Sequence, residues 1–194
     1  MMNALIKMVE IPIKESGLYE LSKNMDYKIT DIEELDKPIA KEIPTNSFLP
    51  KERDSEGNKN GTWSDERGNS DWYPESDKVP GKANEEGKSW GEILDKYDID
   101  KITFKDGEPD FSPISRATVE IEDFTTDRQK NFMQADEAEA KKRGCTPGEV
   151  KQWRKENGYT WHERKDCTTM DKVPSEVHNN IPHAGGISEK KKEL

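Results

Sequence analysis

Hydrophobic and polar positions change their spacing repeatedly along this chain, and each change marks an element. Ser89 and Glu92 stand at capping-box spacing, and Ile93, Leu94 and Tyr97 follow as an apolar stripe, which predicts a short helix over 89–97. Ile102-Thr103-Phe104-Lys105 and Thr118-Val119-Glu120-Ile121 alternate with a period of two and read as strands, separated by the turn-rich stretch 106–110. Residues 127–143 are rich in helix formers and stop at Gly144, which suits the residue just beyond a helix. A second helix opens at Thr146-Pro147-Gly148-Glu149, with Thr as N-cap, Pro in the first position and Glu in the third, and closes at Gly158. Beyond it, Tyr159-Thr160-Trp161-His162 alternates as a strand, 166–169 is a turn, 170–173 a second strand, and 175–180 a brief helix ahead of Pro182. Strand, turn, strand, helix is the outline of a ββα-metal hairpin.

The first part of the chain is less regular. Ile11-Pro12-Ile13 and Tyr27-Lys28-Ile29 are weak strand signals interrupted by Pro38, Pro44 and Pro50, so residues 1–60 read as a connector or accessory segment. Between 61 and 91, Trp63, Trp72, Tyr73 and Trp90 lie among Gly, Asn, Ser and Asp, which predicts a loop-built layer pinned by buried tryptophans. The fold class expected is therefore α+β, with the hairpin at the C-terminus and the helices and Trp-rich layer before it.

Composition narrows the function classes. With 30% hydrophobic and 37% charged residues the chain is too polar for a large core. No apolar run is long enough for a membrane span, and Lys7, Glu10 and Pro12 interrupt the start where a signal peptide would be apolar, so a soluble chain without a cleavable signal is expected. Cys145 and Cys167 are too far apart for a CxxC knuckle and read as reduced thiols, with a disulfide or a Cys167 metal contact as the alternatives. The net charge of −10 argues against a nucleic-acid partner until its distribution is seen: residues 141–194 carry 12 Lys and Arg against 8 Asp and Glu, and residues 1–140 carry 19 against 33. Clusters at 141–143, 151–155, 164–165 and 190–192 could neutralise phosphates, Arg154, Lys155, Arg164 and Lys165 being the nucleic-acid-binding candidates.

All three histidines, His162, His178 and His183, fall in this basic end. Pro182 lies between the last two, so one comes from the short helix and the other from the loop after it. Glu163 and Asp166 offer carboxylates nearby, and mixed His and carboxylate ligation with open positions is what a catalytic divalent metal requires. Structural or surface histidines are the alternative. Trp161 points to the opposite face of its strand from His162 and is expected to pack the hairpin on a helix. Gly185-Gly186 permits a close backbone approach after His183, to phosphate or in a plain turn.

The run Tyr159-Thr160-Trp161-His162-Glu163, then Met170, Val173-Pro174, Glu176-Val177-His178 and His183-Ala184-Gly185-Gly186-Ile187-Ser188, resembles the Trp-His-His/Trp-His-Glu branch of the HNH/endonuclease VII (His-Me finger) superfamily. That branch recurs in the C-terminal toxin domains of bacterial polymorphic and contact-dependent toxins. Upstream pieces, among them Lys105-Asp106-Gly107-Glu108-Pro109-Asp110-Phe111 and Asp123-Phe124-Thr125-Thr126-Asp127-Arg128, are similar to the same domains, so the likeness covers roughly residues 60–190. The resemblance implies a nuclease domain over 61–194 with its ββα-metal core at 159–188. It implies a DNA endonuclease using a divalent ion (Mg, Zn or Ni), held in check by a cognate immunity protein, secreted as part of a toxin system and acting in the cytoplasm of the target bacterium. Residue by residue it implies catalytic roles for His162, Glu163, His178 and His183. His162 would activate water, His178 would bind metal, and His183 would be a second ligand or a phosphate contact. Glu163 would be a ligand, or it would support a His162 that is itself the ligand. The superfamily's asparagine has no match, since Thr169, Met170 and Asp171 stand there, and the group polarising the base is a backbone carbonyl or Asp171. A zinc-stabilised protein-binding module and a sequence-specific homing or restriction nuclease are the competing readings.

Overall fold

The computed structural model describes residues 48–52 and 60–194. The weak strands expected at 11–13 and 27–29 lie outside these residues. The described part is α+β, built on two antiparallel sheets. The first runs in the order β1 (Thr62–Trp63), β2 (Asp71–Tyr73), β3 (Ile102–Lys105), β4 (Glu108–Pro109), with helix α1 (Trp90–Lys96) between β2 and β3 in the chain. The second has β7 (Thr169–Pro174) between β5 (Ala117–Glu120) and β6 (Tyr159–Glu163). Helices α2 (Arg128–Arg143) and α3 (Pro147–Glu156) lie between β5 and β6 in sequence; α4 (Ser175–His178) and α5 (Gly186–Lys190) follow β7.

The helix ends obey the local chemistry read from the chain. Ser89 and Thr146 both form complete capping boxes, with Glu92 and Glu149, and Gly144 ends α2 in the left-handed conformation at φ 67°. The Trp-rich stretch differs from the expected loop layer: Asp71–Tyr73 pairs in register with Ile102 and Thr103 as a strand, and Thr62–Trp63 pairs in turn with Trp72 and Tyr73. Two or three residues are too few for an alternation to stand out from a loop, so pairing within the sheet, β2 on β3 and β1 on β2, decides them. Their tryptophans are buried as expected. Trp63 packs edge-on to Phe104 at 5.0 Å and Trp72 edge-on to Trp90 at 6.0 Å.

The second sheet is covered on both faces. On one side Phe111, Val173, Val177 and Ile181 join the apolar cluster of the first sheet; on the other Val119, Trp161 and Met170 pack with Ala135, Ala140 and Val150 of the helices. Central strand β7 is therefore buried almost throughout, its Asp171 and Lys172 included. Burial forces each of these charges to find a partner. Asp171 accepts from Thr118 Oγ1 and Arg164 Nε, and Lys172 donates to Glu139.

Helix α2 presents a polar face to the sheet: Asn131, Asp136 and Glu139 are all buried. Asp136 receives both Arg154 Nε at 2.8 Å and Nη2 at 2.6 Å, and also the indole N–H of Trp161 at 2.8 Å. This corrects the expectation for Arg154 as a nucleic-acid contact. Val150 and Arg154 are four residues apart on α3 and share its buried face, whereas Lys155 stays exposed. Removing the guanidinium would leave a buried carboxylate facing one N–H. Arg154→Ala is expected to destabilise the domain by roughly 3–5 kcal/mol, read as a lowered urea midpoint; a change within experimental error would show that Asp136 is not held as a buried ion.

Candidate metal centre

His162 leaves β6 on the face turned away from α2 and α3, where it is buried against the edge of Phe111 at 4.9 Å between ring centroids. His178 is the last residue of α4, and His183 follows Pro182 in the connecting loop. The chain reverses here because β7 ends at Pro174 and α4 lasts a single turn, so the loop comes back across the end of β6. Close approach is required at that point. A Cβ on Gly185 would lie 2.8 Å from the carbonyl oxygen of Glu163, and one on Gly186 would lie 2.4 Å from that of Arg164. The glycine pair thus seats the His183 loop on the hairpin.

The three imidazoles converge. Their centroids are 5.0–5.3 Å apart, and one ligand nitrogen from each lies within 4.8 Å of the others, a group that could hold a metal ion. Phe111 floors the group, 5.6 Å from His178 and 5.8 Å from His183. The hydrogen bonds orient the rings. His183 Nδ1 donates to the carbonyl of Ile181 at 2.7 Å, leaving Nε2 with its lone pair; His178 Nδ1 lies 3.1 Å from Asn179 Oδ1, leaving its Nε2 facing His162 Nδ1 at 3.3 Å. Burial is the first cause that holds all three below the usual histidine range, His178 down to about 3, and for His162 and His178 the neighbouring imidazoles add to it. Neutral rings with free lone pairs are what a cation needs.

The other expected site residues are not brought into this group. Glu163 follows His162 on a strand, so its side chain leaves the opposite face: Oε1 accepts from Asn131 Nδ2 at 2.9 Å and Oε2 from Arg128 Nε at 3.0 Å. Asp166 caps its own turn through the N–H groups of Thr168 and Thr169. Asp171, directly across the ladder from His162, is spent on Thr118 and Arg164. Lys165 donates its backbone N–H to Glu108 and its Nζ to the carbonyl of Asp106, which draws the β3–β4 turn against the hairpin. Both cysteines are free.

The histidines open onto a cleft of about 500 Å³, also lined by Lys82, Arg128, Glu163 and Asn180. A larger cleft of about 840 Å³ beside β5 contains no histidine, so the chemistry singles out the smaller one. Arg128, Asn131, Phe111 and Lys82 were given no role from the sequence. Phe111 and Arg128 stand inside the pieces that carry the resemblance, but only the fold brings them to the histidines. Among the described residues no helix is long and apolar enough to cross a membrane.

Residues 101–185 match the family model for the DNase/tRNase domain of colicin-like bacteriocin, a span from the start of β3 through His183 that includes all three histidines. The match supports a bacteriocin-type nuclease toxin domain, a class of nucleases that use divalent metals. No curated protein matches the chain.

Depressed histidines make metal-free stability pH-dependent with a defined sign. The unfolded imidazoles take up protons near pH 6.5 and the folded ones only well below, so stability is level above that pH and falls as pH drops toward 3. His178 alone is expected to contribute a loss of roughly 2 kcal/mol between about pH 6.5 and about pH 5. Urea midpoints in EDTA at the two ends of that range, for wild type and His178→Asn, check this; identical pH dependence in both proteins would refute it.

Proposed function

We propose that this chain is a divalent-metal-dependent endonuclease of the HNH (His-Me finger) type, cutting DNA with little sequence preference. The observation that carries the reading is the convergence of His162, His178 and His183 on one point at the wall of a cleft. Three protein ligands beside open space favour a catalytic site over the closed, four-ligand arrangement of a structural zinc. The β6–turn–β7–α4 segment is read as the ββα-metal core, with the three imidazoles holding the ion. When bound, the ion supplies a Lewis acid that offsets negative charge growing on the phosphate and the leaving oxygen.

The chain's own groups supply the rest. With His162 turned to the ion, the base falls to Glu163. Its buried carboxylate leaves the other face of β6, bonded to Asn131 and Arg128, but the residue lines the same cleft, and it takes a proton from the attacking water once Arg128 swings off it. Arg128 holds the Glu163 carboxylate through Nε, and its exposed guanidinium faces incoming phosphate; Lys82 extends a second cation over the cleft. In this reading the protein is an antibacterial toxin, delivered into the cytoplasm of a target cell and neutralised in its producer by an immunity protein.

Plasmid and tRNA, each incubated with magnesium, zinc or nickel ions and with EDTA, test the reading. Cleavage of plasmid to a smear is expected, lost in EDTA and lost in His178→Ala together with metal binding. Glu163→Gln is expected to slow cleavage by on the order of 10²–10⁴-fold while still binding metal. Discrete fragments would indicate a sequence-specific nuclease, tRNA cleavage alone would move the substrate to RNA, and tight zinc binding without cleavage of either would leave the protein-binding module.

A further inference from the structure

His162 Nε2 is buried and has no hydrogen-bond partner among the described residues. Its Nδ1 faces His178 Nε2 at 3.3 Å. The lone pair of His178 Nε2 is free, because Nδ1 of that ring carries its proton toward Asn179. In the metal-free protein the 3.3 Å contact is therefore made by a proton on His162 Nδ1. An ion received between the histidines needs that same nitrogen as a lone pair, so the proton must move to Nε2. There it would be an N–H in an apolar wall formed by Phe111, a buried donor left without an acceptor.

One carboxylate lies within reach of it. Glu108 Oε1 is 3.9 Å from His162 Nε2, an electrostatic contact rather than a hydrogen bond at that separation. Glu108 is itself held: it sits on β4 beside Pro109, and its Oε1 accepts the backbone N–H of Lys165 at 2.6 Å. Strand β4 belongs to the first sheet and His162 to the second, so this carboxylate ties the accessory hairpin to the histidine cluster.

We propose that Glu108 is a positioning residue of the metal site: once the proton of His162 sits on Nε2, the Glu108 carboxylate closes the 3.9 Å gap to accept it and so commits Nδ1 to the ion. The proposal rests on the metal-site reading above. A carboxylate behind a metal-bound imidazole fixes the ring's tautomer and orientation and raises its basicity, and losing such a partner weakens metal binding roughly 10–100-fold. Glu108 touches neither substrate nor ion in this role.

Zinc ions serve as the probe, with the full chain and no nucleic acid present. Competition calorimetry is expected to give zinc affinity roughly tenfold weaker for Glu108→Gln, which keeps an acceptor but loses the charge, and closer to a hundredfold weaker for Glu108→Met. Thermal unfolding of the metal-free variants checks that each is folded. Independently of any variant, the ¹⁵N shifts of His162 in the zinc-loaded wild type are expected to show Nδ1 bound to zinc and Nε2 protonated. Zinc on Nε2, or Glu108→Met binding within about twofold of wild type, overturns the proposal. A wild type that takes up no zinc would instead sink the metal-site reading on which it stands.

Discussion

Strand β6 alternates, and the site depends on that. His162 and Glu163 are neighbours in sequence, yet the pleat sends one toward Phe111 and the other toward α2. A one-residue slip of β6 against β7 would exchange them, putting a carboxylate against the apolar floor and an imidazole against Asn131 and Arg128. The register is pinned on both sides. Trp161 must reach Asp136 with its indole N–H, and the ladder places His162 opposite Asp171 and Thr160 opposite Val173.

That register is held by polar pairs as much as by apolar burial. Helix α2 meets the sheet with Asn131 on Glu163, Asp136 on Trp161 and Arg154, and Glu139 on Lys172. Each pair is directional, so together they allow one rotation and one height of the helix. Apolar contact alone would tolerate small slides. The cost of burying these groups is offset only where every partner is in place, which couples the folding of α2 and α3 to the geometry of β6 and β7. A chain with only 30% hydrophobic residues reaches a defined interior in this way.

The same principle explains which residues the sequence revealed. Helix ends were legible at Ser89, Thr146 and Gly144, because a cap is satisfied by atoms two or three residues away. The histidines stood out because all of them crowd into the basic end. Arg154 reads from the sequence as part of a phosphate-binding cluster, and nothing local to it announces Asp136, eighteen residues earlier on another helix. Glu163 looked like a ligand by adjacency, which strand alternation reverses. Phe111 and Glu108 stand in a stretch that carries the resemblance, but nothing local ties them to His162, because that relation is made only where β4 and the residues after it pack on the second sheet.

Sequence alone determined the α+β class, the capped ends of the helices at Ser89, Thr146 and Gly144, the strand–turn–strand–helix order at the C-terminus and the identity of the three clustered imidazoles. These follow from spacing and from short-range hydrogen bonding, which the chain carries with it. Tertiary structure decided which nitrogens converge, that Phe111 floors them, that Glu163 belongs to Arg128 and Asn131, and that Arg154 is buried. Those outcomes turn on contacts between segments far apart in the chain, where side-chain direction depends on register and on which face of an element is covered.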